Sequence, residues 1–324
     1  MKILGMGNAL IDVLAVINDD SLLEQMNLPK GSMQLIDEQT MKSLSDALVN
    51  FKKHLASGGS ASNTITGLGK LGIGSGFIGK VGKDFYGNYF KEDLTKYGVK
   101  SHLTETNEAS GVATTFISKD GERTFGTFLG AAANLTPADI DPKNFEGYSY
   151  FYIEGYLVQN LELIRKSIVT AKEAGLKVIL DLASYNVVEA NLDFLLEIMP
   201  KYVDIVFANE EEAKSLLNLD PEAAVSELAK MVDIAIVKTG AKGSWIQQAD
   251  QKVFVPALSV NCVDTTGAGD LYAAGFLYGL VKGYSLKTSG EIGTLLAANV
   301  IQLIGAKIDE ERWDKIFENL KSLS

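Results

Sequence analysis

Short apolar runs at residues 2–7, 75–79, 148–154, 177–182, 203–207 and 233–239 alternate with longer segments whose apolar residues recur at helical spacing. The helical segments fall at 38–51, 60–71, 85–97, 161–174, 188–198, 209–217, 221–231, 268–282, 286–304 and 309–322. Strands separated by helices are joined by crossovers, and crossovers pair strands in parallel. An α/β fold is therefore expected: a doubly wound, mostly parallel sheet with helices on both faces. Ligands of such sheets bind beyond the carboxyl ends of the strands. The chain has 324 residues and 46% hydrophobic content, so it can bury a sizeable core. One domain over 1–324 accommodates that length in this fold class, although two are compatible with length alone.

One region breaks the rhythm. Residues 111–118 (GVATTFIS) and 122–129 (ERTFGTFL) look like two strands joined at Lys119-Asp120-Gly121, where Asp-Gly is a hairpin signal. Residues 13–17 (VLAVI) form a further short strand candidate. These pieces suggest a small β-lid inserted from about 13–37 and 110–130. The alternative is an antiparallel edge of the main sheet.

Charge and composition exclude several classes of function. The net charge is −11 and the pI about 4.8, which argues against nucleic acid or an anionic membrane as the partner. A small anionic ligand is still compatible, because converging backbone N–H groups bind phosphate inside an acidic protein. Cys262 is the single cysteine, so no internal disulfide or Cys-rich metal site can form, and a reducing cytoplasm is expected. Asp12 interrupts the apolar N-terminus, which does not resemble a signal peptide. No run approaches the ~18 apolar residues of a membrane span. The only histidines, His54 and His102, lie near no Ser or Cys constellation, so triad hydrolysis is not expected.

Two glycine patterns mislead. GLGKLG (67–72) fits G-x-G-x-x-G, but it ends a helix instead of following a strand. Gly72 is better explained as a helix stop. GSGFIGK (74–80) fits the start of a P-loop, but Val81 stands where a Ser or Thr must hold Mg²⁺. Any bound nucleotide needs another device for its phosphates.

DTTGAGD (264–270) supplies one. The small residues Gly267, Ala268 and Gly269 let backbone N–H groups converge where a helix opens, and the helix N-terminus adds partial positive charge. Such a site suits the charge that develops on a transferring phosphoryl group. Asp270 stands beside it, placed to take a proton from a substrate hydroxyl. The helix N-terminus is expected to keep Asp270 ionised, a weak base. Phosphoryl transfer needs positioning more than a strong base. On spacing alone, a plain N-terminal acid with helix-opening glycines accounts for the pattern equally well.

DTTGAGDLYAAGF closely resembles the C-terminal signature of the ribokinase (PfkB) family of sugar and nucleoside kinases, and SGGSASNTITGLGKLG (57–72) resembles its N-terminal signature. GNALID (7–12), ANEEEA (208–213), TGAKGS (239–244) and LAANVIQLIGA (296–306) resemble further family segments, so the likeness runs along nearly the whole chain. Within the family it is strongest to the adenosine-kinase branch, through GNALID, GGSASN, GERT, LGAAAN, YIEGYL and VDIVFANEEEA. Thr266, where adenosine kinases often carry Asn, and the helix after Asn63 depart from that branch.

The resemblance implies residue roles. Asp270 becomes the catalytic base and Gly267, Ala268 and Gly269 the anion hole. Asp12, Asn63, Gly58, Gly59 and Asn8 would contact the sugar hydroxyls. Arg123 would approach the phosphates from the lid, and Phe125, which shares a strand face with Thr127 and Leu129, would cover a base or sugar. Asn209 and Glu212 lie three apart at a helix start, with Glu212 ordering water around Mg²⁺. Thr239, Gly240 and Gly243 would border ATP, Asn299 its adenine, and Asp264 a monovalent cation, K⁺. Each has a plainer explanation: a turn acid for Asp12, a helix-start acid for Glu212, a solvated hairpin residue for Arg123, lid core for Phe125.

Together these features imply an ATP- and Mg²⁺-dependent kinase acting on a primary hydroxyl of a small nucleoside or sugar. Adenosine is favoured, and a free-sugar kinase of the ribokinase, fructokinase or 2-keto-3-deoxygluconate type is the alternative. A sensor with residual turnover is a further reading, opposed by the retention of both Asp270 and the anion hole. The resemblance is compatible with a monomer or a homodimer.

Overall fold

The apolar runs become the strands of a large central sheet. The computed structural model describes residues 1–17, 19–120 and 122–322. In chain order the strands are β1 (Ile3–Met6), β2 (Leu10–Val16), β3 (Met33–Leu35), β4 (Lys53–Gly58), β5 (Ser75–Gly82), β6 (Val99–Thr106) and β7 (Gly111–Ile117). They continue as β8 (Arg123–Phe128), β9 (Tyr150–Glu154), β10 (Lys177–Asp181), β11 (Ile205–Asn209), β12 (Ile234–Lys238), β13 (Gly243–Gln248) and β14 (Gln251–Pro256). The large sheet runs β14-β13-β12-β11-β10-β9-β1-β5-β6, and every pairing from β12 to β6 is parallel. β13 and β14 extend one edge in antiparallel fashion.

Successive strand residues face opposite sides of the sheet, so each strand feeds two cores. Ile3, Phe77, Tyr152, Ile179, Phe207 and Ile236 pack on one side with Ile65, Phe276 and Leu296 of the helices Ser60–Lys70, Ala268–Lys282 and Leu286–Val300. Their neighbours Leu4, Ile78, Phe151, Leu180, Val206 and Val237 pack on the other with Ile164, Ile198 and Val225 of the helices Leu161–Glu173, Leu192–Tyr202 and Pro221–Leu228. Phe276 is fully buried and meets Phe207 edge-on at 5.6 Å between ring centroids. Burying a side chain of that size is worth about 1.5–3 kcal/mol, so this contact helps hold the helix that begins at the DTTGAGD turn.

A second sheet, β3-β8-β7-β2-β4, is separate from the first and has its own small core around Ala15, Phe116, Leu44 and Leu28. The hairpin β7–β8 lies in it, and so does β2, which contains residues 13–16 of the expected 13–17 strand. The alternative placement of 111–129 on an edge of the main sheet does not hold. Gly121 of the turn lies outside the described residues.

Some expectations differ from the structure. The segment 188–198 belongs to two helices, Tyr185–Ala190 and Leu192–Tyr202, parted at Asn191. The helix from 286 ends at Val300, before 304. The edge strand β6 and the strand β4 carry too few buried residues to produce an apolar run. The two deceptive glycine patterns resolve as their contexts suggested. GLGKLG closes the helix Ser60–Lys70, with Gly72 in the left-handed region at φ 80°. GSGFIGK lies in and before β5, and Lys80 pairs with Asp139 at 3.1 Å.

Candidate active site

The carboxyl ends of the parallel strands border a cleft of about 970 Å³. Asp12, Gly59, Ser60 and Asn63 line one part, and Asp181, Asn209 and Lys238 of the strand ends line another together with Glu212 of the helix Glu210–Leu217. The turn from Thr265 to Asp270 lines a third part, with Gly240, Gly243, Ala297, Ala298 and Ile301 beyond it.

The turn is built by one glycine. Gly267 caps the helix Ala268–Lys282 in the left-handed region, at φ 75°. A Cβ there would stand 2.5 Å from the Ala306 methyl, so only glycine brings the turn this close to the 301–306 segment. The helix then opens with Ala268 and Gly269, and Asp270 falls in its first turn. Ser60 Oγ donates to Asp270 Oδ1 at 2.7 Å, and Asn63 Nδ2 donates to Oδ2 at 3.0 Å. Gly59 allows Ser60 and Asn63 to arrive: at φ 89° it starts their helix, and a Cβ there would meet the Asn8 carbonyl at 2.1 Å. Burial pushes the Asp270 carboxyl above its ordinary value, against the two hydrogen bonds and Lys238, with Asp181 adding to the rise. This corrects the expectation that the helix N-terminus leaves it an especially weak base. Desolvation is the larger effect, and it makes the group a stronger base.

Lys238 ends β12 and its Nζ donates to Asp181 Oδ2 at 3.2 Å. Burial pulls its ammonium down, but Asp181 and Glu212 outweigh that and hold it above its ordinary value. Glu212 is buried, and both of its oxygens serve a reciprocal cap: Oε2 accepts from Asn209 N and Oε1 from Asn209 Nδ2, each at 2.7 Å. Asn209 and Glu212 therefore cap their helix reciprocally, and both residues also line the cleft. Burial pushes Glu212 up to about 7, with Lys238 opposing and Asp181 reinforcing. Among the described residues no cluster of three or more His, Cys, Asp or Glu could cage a metal ion. Mg²⁺ in phosphoryl transfer keeps several waters and is held by one or two carboxylates together with substrate phosphates, so such a cage is not required for it. Glu212 and Asp181 are two carboxylates that line the cleft.

Asp12 lines the cleft from β2, and burial pushes it up to about 6, with Lys307 opposing and Asp270 adding. Gly58 lies against it, where a Cβ would touch its carboxylate at 2.3 Å. Asn8 is turned away from the cleft lining. Its N and Nδ2 donate to Glu154 Oε1 at 2.8 and 2.7 Å, and Ala61 N donates to Oε2 at 2.9 Å. Glu154 thus ties the β1–β2 turn to the helix Ser60–Lys70 from a fully enclosed position. Burial pushes it up to about 7, against those bonds.

Arg123 and Asp264, expected to serve a phosphate and a cation, are paired with each other. Arg123 Nη1 donates to Asp264 Oδ1, and Nη2 donates to the Val263 carbonyl at 2.9 Å. Asp264 Oδ1 also accepts from Thr266 N at 2.8 Å and Thr266 Oγ1 at 2.7 Å, while Oδ2 accepts from Gly305 N at 2.7 Å. These donors hold the carboxylate below its ordinary value in spite of burial. A cation needs oxygens free to coordinate it. Here donors occupy both carboxylate oxygens and the guanidinium takes the neighbouring carbonyl, so the residues do not fit K⁺ at Asp264.

Of the remaining expected residues, Thr239 is buried behind the cleft, with N and Oγ1 both donating to the Gly243 carbonyl at 2.8 and 2.9 Å. Asn299 gives its amide to the Leu295 carbonyl at 2.8 Å, and its neighbours Ala297 and Ala298 line the cleft in its place. Phe125 lies on β8, outside the lining. The sequence reasoning missed Ser60, Glu154, Asp181 and Lys238. Three of them share a signal: each is the charged last residue of an apolar parallel strand, YFYIE, KVILD and IAIVK.

The sequence matches the pfkB family carbohydrate kinase over residues 33–313. A nucleoside kinase from Methanocaldococcus jannaschii is 31% identical over 274 residues, covering 82% of this chain and 85% of that protein. The adenosine kinase structure from Sinorhizobium meliloti is 34% identical and superposes with a TM-score of 0.85 over 98% of this chain and 99% of its own. A probable sugar kinase structure from Rhizobium etli CFN 42 is 33% identical, with a TM-score of 0.86 and 98% coverage of both chains. By sequence match and fold alike, this chain belongs to the pfkB family of carbohydrate kinases and is a phosphotransferase.

Proposed function

We propose that this protein transfers the γ-phosphoryl of Mg·ATP to a primary hydroxyl of a nucleoside, with the 5′-hydroxyl of adenosine favoured. One observation carries the reading: Asp270 stands in the first helical turn after Gly267, held by Ser60 and Asn63, in the same cleft as Asp12. Asp270 takes the hydroxyl proton. The amides of residues 267–269 and the helix N-terminus receive the charge that spreads over the phosphoryl oxygens. Asp12 accepts from the sugar hydroxyls, and Asn63, whose Oδ1 has no hydrogen-bond partner among the described residues, offers a further acceptor. Glu212 and Asp181 would hold Mg²⁺ through its waters, and the ion would supply positive charge to offset the phosphates. Gly240, Gly243, Ala297 and Ala298 border the nucleotide. Closure of the small sheet over the cleft would exclude water and limit idle ATP hydrolysis.

A free-sugar substrate is the second reading, favoured by the position of Phe125 outside the cleft lining, which among the described residues contains no aromatic of the small sheet. The test is Mg·ATP turnover with adenosine, inosine, guanosine, cytidine, ribose, fructose and 2-keto-3-deoxygluconate. Adenosine should lead by about tenfold in kcat/KM, ~1.4 kcal/mol of discrimination. A free sugar leading by that margin overturns the nucleoside assignment.

A further inference from the structure

The cleft is acidic where a kinase needs positive charge. Asp12, Asp181, Glu210, Glu211, Glu212 and Asp270 line it, and Lys238 is the only basic side chain among the described lining residues. A triphosphate entering this space meets like charge on most sides. One divalent ion and a helix terminus, worth about half a charge, offset only part of it.

Lys238 is placed to supply the rest. It ends β12 beside Asn209, the last residue of β11. Its side chain is 16% exposed, so it is largely shielded from solvent and from salt. A carbon built onto Gly269 would lie 3.1 Å from Nζ, which puts the ammonium against the backbone that forms the anion hole. Among the described residues its one hydrogen bond goes to Asp181 Oδ2. An ammonium carries three N–H donors, so two are left over. Asp181 is itself fixed, because Oδ1 accepts from Ala183 N at 3.2 Å and Oδ2 from the Tyr152 hydroxyl at 3.3 Å. The flexible lysine stem is thereby held at one point before any ligand arrives.

We infer that Lys238 is a phosphoryl-binding catalytic residue: its ammonium, anchored by Asp181, binds the transferring phosphoryl next to the amides of the 267–269 turn. The role rests on the kinase reading above. Like an oxyanion donor, it acts most strongly when charge builds on the phosphoryl oxygens, so its loss lowers kcat more than it raises the KM for the acceptor.

The test uses K238M and K238R with Mg²⁺ present, and titrates ADP and the non-hydrolysable ATP analogue AMP-PNP by calorimetry alongside turnover. K238M should lose about 10²–10³-fold in kcat, bind AMP-PNP at least tenfold more weakly and bind ADP as wild type does, with K238R recovering part of the loss. Equal affinities for AMP-PNP in K238M and wild type overturn the role, as does an equal loss for ADP and AMP-PNP, which marks a merely structural ion pair. If K238M does not fold because Asp181 has lost its partner, the D181N/K238M double variant removes both charges and is judged by the same two titrations against D181N alone. Wild-type protein that binds neither nucleotide and turns over no acceptor overturns the kinase reading itself, and this role with it. Wild-type turnover with normal AMP-PNP binding in K238M sinks the lysine alone.

Discussion

Replacing Asp270 with Asn separates the chemistry of the site from its assembly. The two side chains have nearly the same shape, so Gly267 and the helix opening are undisturbed. Two donors now point at Asp270, from Ser60 at 2.7 Å and Asn63 at 3.0 Å. An amide accepts only one of them well, and Ser60 can rotate its hydroxyl to accept from the new NH₂. Binding of nucleotide and acceptor should therefore persist. The proton of the attacking hydroxyl loses its acceptor, and a positioned base is worth about 10²–10⁴ in rate, or roughly 3–5.5 kcal/mol. Stability should move the other way. Burial raises the Asp270 carboxyl, so its folded-state contribution is present below its ordinary value and lost as pH rises through the raised one. At neutral pH the buried charge is a cost, which Asn removes. Steady-state turnover, calorimetric nucleotide binding and thermal melting on one preparation read all three effects. The expected pattern is kcat lower by at least 10²-fold, affinities unchanged, and Tm equal to or above wild type. Turnover of D270N within about tenfold of wild type would refute the general-base assignment.

Two further outcomes follow from the buried charges. Because Arg123 fills the place of a cation at Asp264, wild-type turnover should not change when KCl is replaced by tetramethylammonium chloride at equal ionic strength, whereas R123A should respond to K⁺; a wild-type requirement for K⁺ greater than about tenfold (~1.4 kcal/mol) contradicts this. Glu154→Ala leaves Asn8 N, Asn8 Nδ2 and Ala61 N without their acceptor and should destabilise by roughly 1–3 kcal/mol in urea unfolding. The folded-state Glu154 carboxyl titrates at about 7 against an ordinary 4.5, so its stability contribution fades as pH rises through that window, and the gap between wild type and E154A should be wider at about pH 5 than at about pH 8. A gap that widens towards pH 8 would reverse the sign.

The parallel sheet was legible because burial on both faces leaves an unbroken apolar run, as in YFYIE and IAIVK. β4 and β6 were not, since a strand with a wet face or a free edge mixes polar residues into its run. The break at Asn191 was hidden for a related reason: two short helices carry one continuous apolar stripe. The DTTGAGD turn stood out because small residues closed by an acid are unusual at the start of a buried helix. Glu154, Asp181 and Lys238 escaped because each is a single residue whose neighbours in the site come from other strands. No sequence spacing encodes that adjacency, although a charge at the carboxyl end of a buried parallel strand is a sign to look for. The pairing of Arg123 with Asp264 was not legible either, because the two residues lie 141 positions apart in the sequence.

The partners of the reacting centre are far apart along the chain. Ser60 is 210 residues from Asp270, and Asn8 is 146 residues from Glu154. β1, the first strand made, is enclosed only when β5 and β9 arrive on either side. Closing such long loops costs entropy before any contact repays it, so these are slow steps in assembly. During synthesis the helix that carries Asp270 leaves the ribosome after all the strands are complete. A nascent chain can thus hold a nearly finished sheet and still be unable to spend ATP. Trp245 sits against Phe254 in the local β13–β14 pair, and its fluorescence reports a nearby contact. Recovered turnover in a refolding experiment, by contrast, records the meeting of the Ser60 and Asp270 helices, 210 residues apart in the sequence.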